Sequence, residues 1–170
     1  RQRQMCIRDR FGGKKSHQAK WKKSVYETYN DASLNVEWTN VLKKTCDEVG
    51  ITFFTSPYAK KLVDEVENFV PAYKIGSGDI TWTEIIEYIG SKDKPVFLAT
   101  GAANMVDVNR AVKSLLNINN KIVLMQCNTN YTAESENFSY LQLNVIKSYS
   151  KKYPGIITGI SDHMQGDVAV

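Results

Sequence analysis

Five short apolar runs start near residues 51, 72, 96, 122 and 156, and one helix-patterned segment separates each from the next. Residues 51–54 are β-branched and aromatic, and the runs at 72–75, 96–99, 122–126 and 156–160 are apolar almost throughout. Between them, Leu62, Val63 and Val66 recur at helical spacing, and 82–89 is an amphipathic stretch followed by Gly90. Met105, Val108, Val112 and Leu115 step by three, four and three, and Leu141, Val145, Ile146 and Tyr149 mark a further helix. Ahead of the first run, 38–49 reads as a helix ended by Gly50. Strands alternating with single helices build βαβ units and a parallel sheet. Strands without a polar face belong to a sheet covered on both sides.

Two architectures satisfy that pattern, a doubly wound open sheet and a (β/α)₈ barrel. The polar residues separate them. Nearly every run ends in a cluster able to do chemistry: Thr55-Ser56-Pro57, Lys74 to Asp79, Thr100-Gly101, 128–131 (Asn-Thr-Asn-Tyr) and Ser161-Asp162-His163. An open sheet concentrates its site at one switch point, whereas a barrel draws on the ends of many strands. The reading is therefore α/β, a partial (β/α)₈ TIM barrel of about five strands. Five strands are fewer than eight, so the chain reads as a fragment of a longer product.

Composition narrows the function class. The net charge is +4, but residues 1–10 (RQRQMCIRDR) carry +3 of it, which leaves the rest nearly neutral. That decapeptide has no period and reads as a non-native or artefactual segment, with a basic RNA-binding arm as the alternative. Nucleic acid is not an expected partner. No apolar run reaches the ~18 residues of a membrane helix, and no secretory h-region is visible, so membrane association is not expected and cytoplasm is the default. Cys6, Cys46 and Cys127 lack metal-site spacing and read as buried free thiols, with a catalytic Cys127 as the alternative. Residues 11–37 read as a long basic and aromatic loop, either a lid, an interface or plain solvated chain.

The stretch 71–79 (PAYKIGSGD) is the sharpest chemical signal. A buried strand runs into a glycine-rich turn, with Lys74 at the strand end and Ser77 and Asp79 beyond it. A lysine supplies a point charge, glycines let backbone N–H groups approach, and a serine adds a donor, which together suit an anionic ligand. A snorkelling lysine and turn-capping serines are the structural alternatives.

FFTSPY (53–58), PAYKIGSGDIT (71–81), KPVFLATG (94–101), VLMQCNTNY (123–131) and GISDHMQG (159–166) together resemble, in order and spacing, the N-acetylneuraminate (sialic acid) synthase family, which includes legionaminic and pseudaminic acid synthases. The resemblance covers about 12–170 and implies a TIM barrel followed by a small antifreeze-like domain, in a homodimer. It implies condensation of phosphoenolpyruvate with an N-acetylated amino sugar to give a nine-carbon 2-keto acid and phosphate, with Mn²⁺ or Mg²⁺ required.

Carried over residue by residue, Lys74, Ser77, Ser56 and Ser161 match positions that hold phosphoenolpyruvate, and Asn128 and Thr129 lie where a further polar contact is expected. His163 matches a metal ligand, with Asp162 orienting its ring or capping its turn. Asp79 stands where the family places a carboxylate, often Glu, for sugar hydroxyls. Tyr131 contacts the sugar or packs in the core. The resemblance also implies a carboxylate base on the first barrel strand, a lysine on the second, a second metal histidine and a partner-domain arginine, none recognisable here. The alternatives are another phosphoenolpyruvate-dependent aldol-type synthase and a non-catalytic barrel that binds anions or sugar phosphates.

Overall fold

The computed structural model of the chain describes residues 21–129, 135–164 and 166. Its elements run α1 (Val25–Asp31), α2 (Trp38–Glu48), α3 (Lys60–Val66), β1 (Tyr73–Ile75), a 3₁₀ turn (Ser77–Asp79), α4 (Thr83–Gly90), β2 (Val96–Ala99), α5 (Met105–Leu116), β3 (Ile122–Cys127), a second 3₁₀ turn (Ser135–Tyr140), α6 (Asn144–Lys152) and β4 (Ile157–Ser161). The four strands form one sheet in the order β1-β2-β3-β4, and every pair is parallel. A doubly wound sheet reverses its strand order at a switch point; this one advances in a single sense, as an arc of a barrel does.

The sheet parts two sets of side chains. On the helix side, Tyr73, Ile75, Val96, Leu98, Ile122 and Leu124 pack against Val63 of α3, Ile85, Ile86 and Ile89 of α4, and Val108, Val112 and Leu115 of α5. On the other face, Ala99, Met125 and Cys127 form a separate cluster with Phe97 and Val123. Phe54 adds its ring there, 5.5 Å from that of Phe97. Both faces are covered, which is why the strands read as apolar without alternation. Helix α5 starts with a capping box in which Asn104 accepts from the backbone of Val106 and Asp107 while Asp107 reaches back to the Asn104 N–H.

Two expectations need correction. Residues 51–54 form no strand; only Thr55 makes an isolated parallel bridge, to Tyr73. Ile51 is 59% exposed and Phe54 42%. β-propensity becomes a strand only where side chains pack and a ladder forms, and this run touches the sheet at Thr55 alone and leaves Ile51 and Phe54 exposed. Residues 11–37 are not one loop: helix α1 occupies Val25–Asp31. Its signal is the capping box Ser24-x-x-Glu27, in which Ser24 Oγ accepts from the Glu27 N–H and the Glu27 carboxylate accepts from the Ser24 N–H. Residues 1–10, with Cys6, and 11–20 lie outside the described residues.

Helix α2 buries none of its residues, and Trp38 and Val41 are more than half exposed. No helix among the described residues is long and apolar enough to cross a membrane. The packing makes a differential prediction for the complete protein. Leu124 is fully buried at the centre of the sheet, so Leu124→Ala should cost about 2–5 kcal/mol in urea unfolding. Val41→Ala, on the exposed face of α2, should stay within about 0.5 kcal/mol.

Candidate active site

The burial pattern of β1 is the starting point. Tyr73 and Ile75 point to the helices and are buried, which turns Lys74 to the inner face. There Lys74 Nζ donates to Ser161 Oγ at 2.9 Å, across 87 residues of chain. The ladder aligns Lys74 with Phe97, Val123 and then Ile157, and Ser161 lies four residues beyond Ile157. In a flat sheet Ser161 would sit three strand spacings of ~4.8 Å to the side and a further four residues of ~3.3 Å along. Only a curled and sheared sheet brings the two side chains together, so this bond is a direct measure of barrel curvature at the strand ends.

Beyond β1 the chain turns through Ser77–Asp79. Ser77 is buried, and its Oγ accepts from the Gly101 N–H at 2.9 Å. A hydroxyl has one donor and two lone pairs, so a lone pair spent on Gly101 leaves the Ser77 O–H to donate. Gly101 sits where three strand-end turns converge: a Cβ there would lie 2.5 Å from Thr129 Cγ2, 2.8 Å from the Cys127 carbonyl oxygen and 2.9 Å from Ser77 Oγ. Behind it, Thr100 Oγ1 bonds the Met125 carbonyl and, at 2.9 Å, the Tyr149 hydroxyl of α6. Sequence reading marks Thr100-Gly101 only as a strand-end cluster; the structure makes Gly101 the junction of the site. The signal is its place directly after an apolar strand, but the crowding that requires glycine is tertiary.

The other candidates take up their places around this junction. Thr129 touches it through its methyl group, and Asn128 Nδ2 donates to the Asn137 carbonyl at 3.2 Å, which ties the β3 end to the second 3₁₀ turn. Asp79 is buried, and its Oδ2 and the Tyr58 hydroxyl both stand over Gly76. Ser56 and Asp79 line a cavity of about 1140 Å³ beside the Ser77–Asp79 turn, together with Tyr58 and Trp82. Neither aromatic stands out as a site residue in the sequence. Tyr131 lies outside the described residues, as does His17. Cys127 is a buried free thiol on the inner face and Cys46 is half-buried on α2.

At the end of β4, Asp162 Oδ1 accepts from the backbone N–H groups of His163 at 2.8 Å and Met164 at 3.1 Å. These bonds are those of a turn cap. Burial holds the His163 imidazole below its usual pKa, the Lys74 ammonium presses in the same direction, and Asp162 opposes them. The ring is therefore neutral at neutral pH and able to offer a lone pair. No group of three or more His, Cys, Asp or Glu able to hold a metal occurs among the described residues. One imidazole beside an ammonium does not make a cation site on its own.

Two measurements check this geometry. In Gly101→Ala the new methyl meets a backbone carbonyl that cannot turn aside, so the complete protein should lose about 1–3 kcal/mol in chemical unfolding. Histidine NMR should give His163 a titration midpoint below the ordinary 6.5, and Lys74→Met should move it upward by removing the neighbouring positive charge.

Comparison with known proteins adds the family. The chain is 34% identical over 150 residues to an uncharacterised protein of Methanocaldococcus jannaschii, covering 87% of this chain and 43% of that protein. It is 28% identical over 149 residues to the pseudaminic acid synthase of Helicobacter pylori, covering 86% of this chain and 43% of the synthase. In structure it is similar to the N-acetylneuraminic acid (sialic acid) synthetase of Leptospira borgpetersenii serovar Hardjo-bovis, solved in complex with citrate. That likeness has a TM-score of 0.78 and 22% identity, and covers 94% of this chain and 52% of the synthetase chain. The chain thus spans less than half the length of these two curated relatives. The NeuB family model matches residues 2–170, and the chain belongs to the NeuB family.

Proposed function

We propose that the protein containing this chain condenses phosphoenolpyruvate with the open-chain aldehyde of an N-acetylated amino sugar, N-acetylmannosamine or a relative. The products are a nine-carbon 2-keto sugar acid and phosphate, within sialic-acid-like carbohydrate biosynthesis. The observation that carries the proposal is the Lys74–Ser161 contact across the inner face, with the Ser77 hydroxyl held by Gly101 beside it. An ammonium and two hydroxyls converging at strand ends suit a ligand that carries both a phosphate and a carboxylate.

In this reading Lys74, Ser77 and Ser161 hold the phosphoenolpyruvate, Ser56 and Thr129 add polar contacts at its edges, and Asn128 fixes the β3 end. Lys74 balances the charge of the phosphate throughout. C3 of phosphoenolpyruvate forms a bond to the aldehyde carbon, and the aldehyde oxygen takes a proton to become a hydroxyl. Water adds to the cation left at C2 and loses a proton. The hydroxyl on the resulting tetrahedral carbon gives up its proton as phosphate leaves by C–O cleavage, and the carbon becomes the keto group.

Asp79 binds sugar hydroxyls, and Tyr131 is placed with them by the family resemblance alone. A divalent cation, Mn²⁺ or Mg²⁺, belongs to the same proposal. Neutral His163 offers it one nitrogen, and among the described residues no second ligand set accompanies that nitrogen. A cytoplasmic homodimer with a further C-terminal antifreeze-like domain completes the proposal, without nucleic acid or membrane as partner.

The test is phosphate release from phosphoenolpyruvate by the complete protein with Mn²⁺ and a panel of N-acetylated amino sugars. Release that requires one acceptor is expected, and Lys74→Met should lower kcat/KM by about 10²–10³-fold. Bound phosphoenolpyruvate with no release on any acceptor would instead leave a barrel that binds anions without turning them over.

A further inference from the structure

A chain of hydrogen bonds runs from the outer helix layer to the turn that holds Ser77. Thr100 directs two donors at one acceptor: its N–H and its Oγ1 each reach the Met125 carbonyl at 2.9 Å. A hydroxyl carries a single proton. With that proton spent on Met125, the 2.9 Å contact between Thr100 Oγ1 and the Tyr149 hydroxyl is a bond that Tyr149 donates. The order is therefore Tyr149 O–H to Thr100 O–H to the Met125 carbonyl, and in such a chain each bond strengthens the next. Tyr149 and Thr100 are both buried, so bulk water does not compete for these bonds.

The far end of the chain lies at the anion site. The N–H that donates to Ser77 Oγ at 2.9 Å belongs to the peptide joining Thr100 to Gly101. By gripping one carbonyl with both its N–H and its side chain, Thr100 fixes its own φ and χ1 and narrows the directions in which that peptide can point. The residue after Gly101, Ala102, stands at a φ of 56°, a left-handed conformation that persists only where its surroundings impose it. Tyr149 is itself anchored. Its ring lies 6.5 Å from that of Tyr153, and the Tyr153 hydroxyl donates to Asn109 Oδ1 of α5. Helices α5 and α6 thus set where the Tyr149 hydroxyl stands, and that hydroxyl sets how the Thr100–Gly101 peptide meets Ser77.

We propose that Tyr149 is a positioning residue for the anion site: through Thr100 and the Gly101 N–H, its hydroxyl orients the Ser77 O–H toward the phosphate or carboxylate of phosphoenolpyruvate. The inference rests on the synthase reading for the identity of the anion and on the hydrogen-bond chain for the coupling. A tyrosine that only satisfied the core would add stability without any link to Ser77.

Phosphoenolpyruvate and inorganic phosphate are titrated calorimetrically into the complete protein, without an acceptor sugar. Tyr149→Phe keeps the ring and deletes the donor, and should weaken phosphoenolpyruvate about five-fold. Thr100→Val should weaken it about ten-fold, whereas Thr100→Ser, which keeps the hydroxyl, should stay within about two-fold of the wild type. In a Ser77→Ala background the group being oriented is gone, and there Tyr149→Phe should change the affinity by less than about two-fold.

Unchanged affinity in Tyr149→Phe and Thr100→Val, a Thr100→Ser protein as weak as Thr100→Val, or an equal loss from Tyr149→Phe with and without the Ser77 hydroxyl would overturn the positioning role. Should Tyr149→Phe fail to fold, the two Thr100 variants decide the same question. Phosphate release from phosphoenolpyruvate, read alongside, separates the two proposals. The predicted coupling without release on any acceptor counts against the synthase reading and leaves the positioning role standing. Acceptor-dependent release without the coupling overturns the positioning role and leaves the synthase. A wild-type protein that binds neither anion overturns both.

Discussion

A lysine on the inner face of a curled parallel sheet is the constraint around which this site is arranged. Lys74 can point inward only because Tyr73 and Ile75 anchor the alternate face of β1 among the helices. It can meet Ser161 only because three further parallel strands shear and curl far enough to bring the β4 end around. The helix-side core therefore does more than hold the fold together. By fixing which face of each strand points inward, it decides that the charge at the end of β1 and the hydroxyl at the end of β4 share one space. A slip of one residue in β1 would turn Lys74 into the apolar core and Ile75 into the site.

The same economy governs the turns. Gly101 brings the ends of β1, β2 and β3 within van der Waals distance of one point, and its N–H sets the direction in which the Ser77 hydroxyl can donate. The support reaches outward to α6 through Thr100 and Tyr149, so a helix on the outer layer steadies a turn on the inner one. Ala102 follows with φ of 56°, a left-handed conformation that costs a residue with a side chain about 1–2 kcal/mol. A tightly held turn of this kind presents donors that need no rearrangement when an anion arrives.

Much of the architecture is legible in the chain because it depends on local period. Val96–Ala99 is read from its apolar run after Pro95, and Met105–Leu116 from Val108, Val112 and Leu115 recurring on one face. Residues 51–54 have the composition of a strand but lack the neighbours that make one, since pairing is not a local property. Helix α1 is missed because it is only two turns long and follows a basic and aromatic stretch, although Ser24 and Glu27 announce its start. In the site, strand-end position marks Lys74, Ser77 and Ser161. Their convergence depends on register and curl over 87 residues and cannot be read from spacing. Tyr58 and Trp82 look like ordinary core aromatics until the cavity between the helices shows what they face.

Membership of the NeuB family and the inner-face geometry bear on one question: whether Lys74 and Ser161 are the jaws of an anion site. The most direct measurement is a crystal structure of the complete protein with phosphoenolpyruvate bound. The account predicts a phosphate or carboxylate oxygen within hydrogen-bond distance of both Lys74 Nζ and Ser161 Oγ, with the Ser77 hydroxyl donating to the same ligand. Phosphoenolpyruvate bound elsewhere, with the direct Lys74–Ser161 contact left intact, would contradict it.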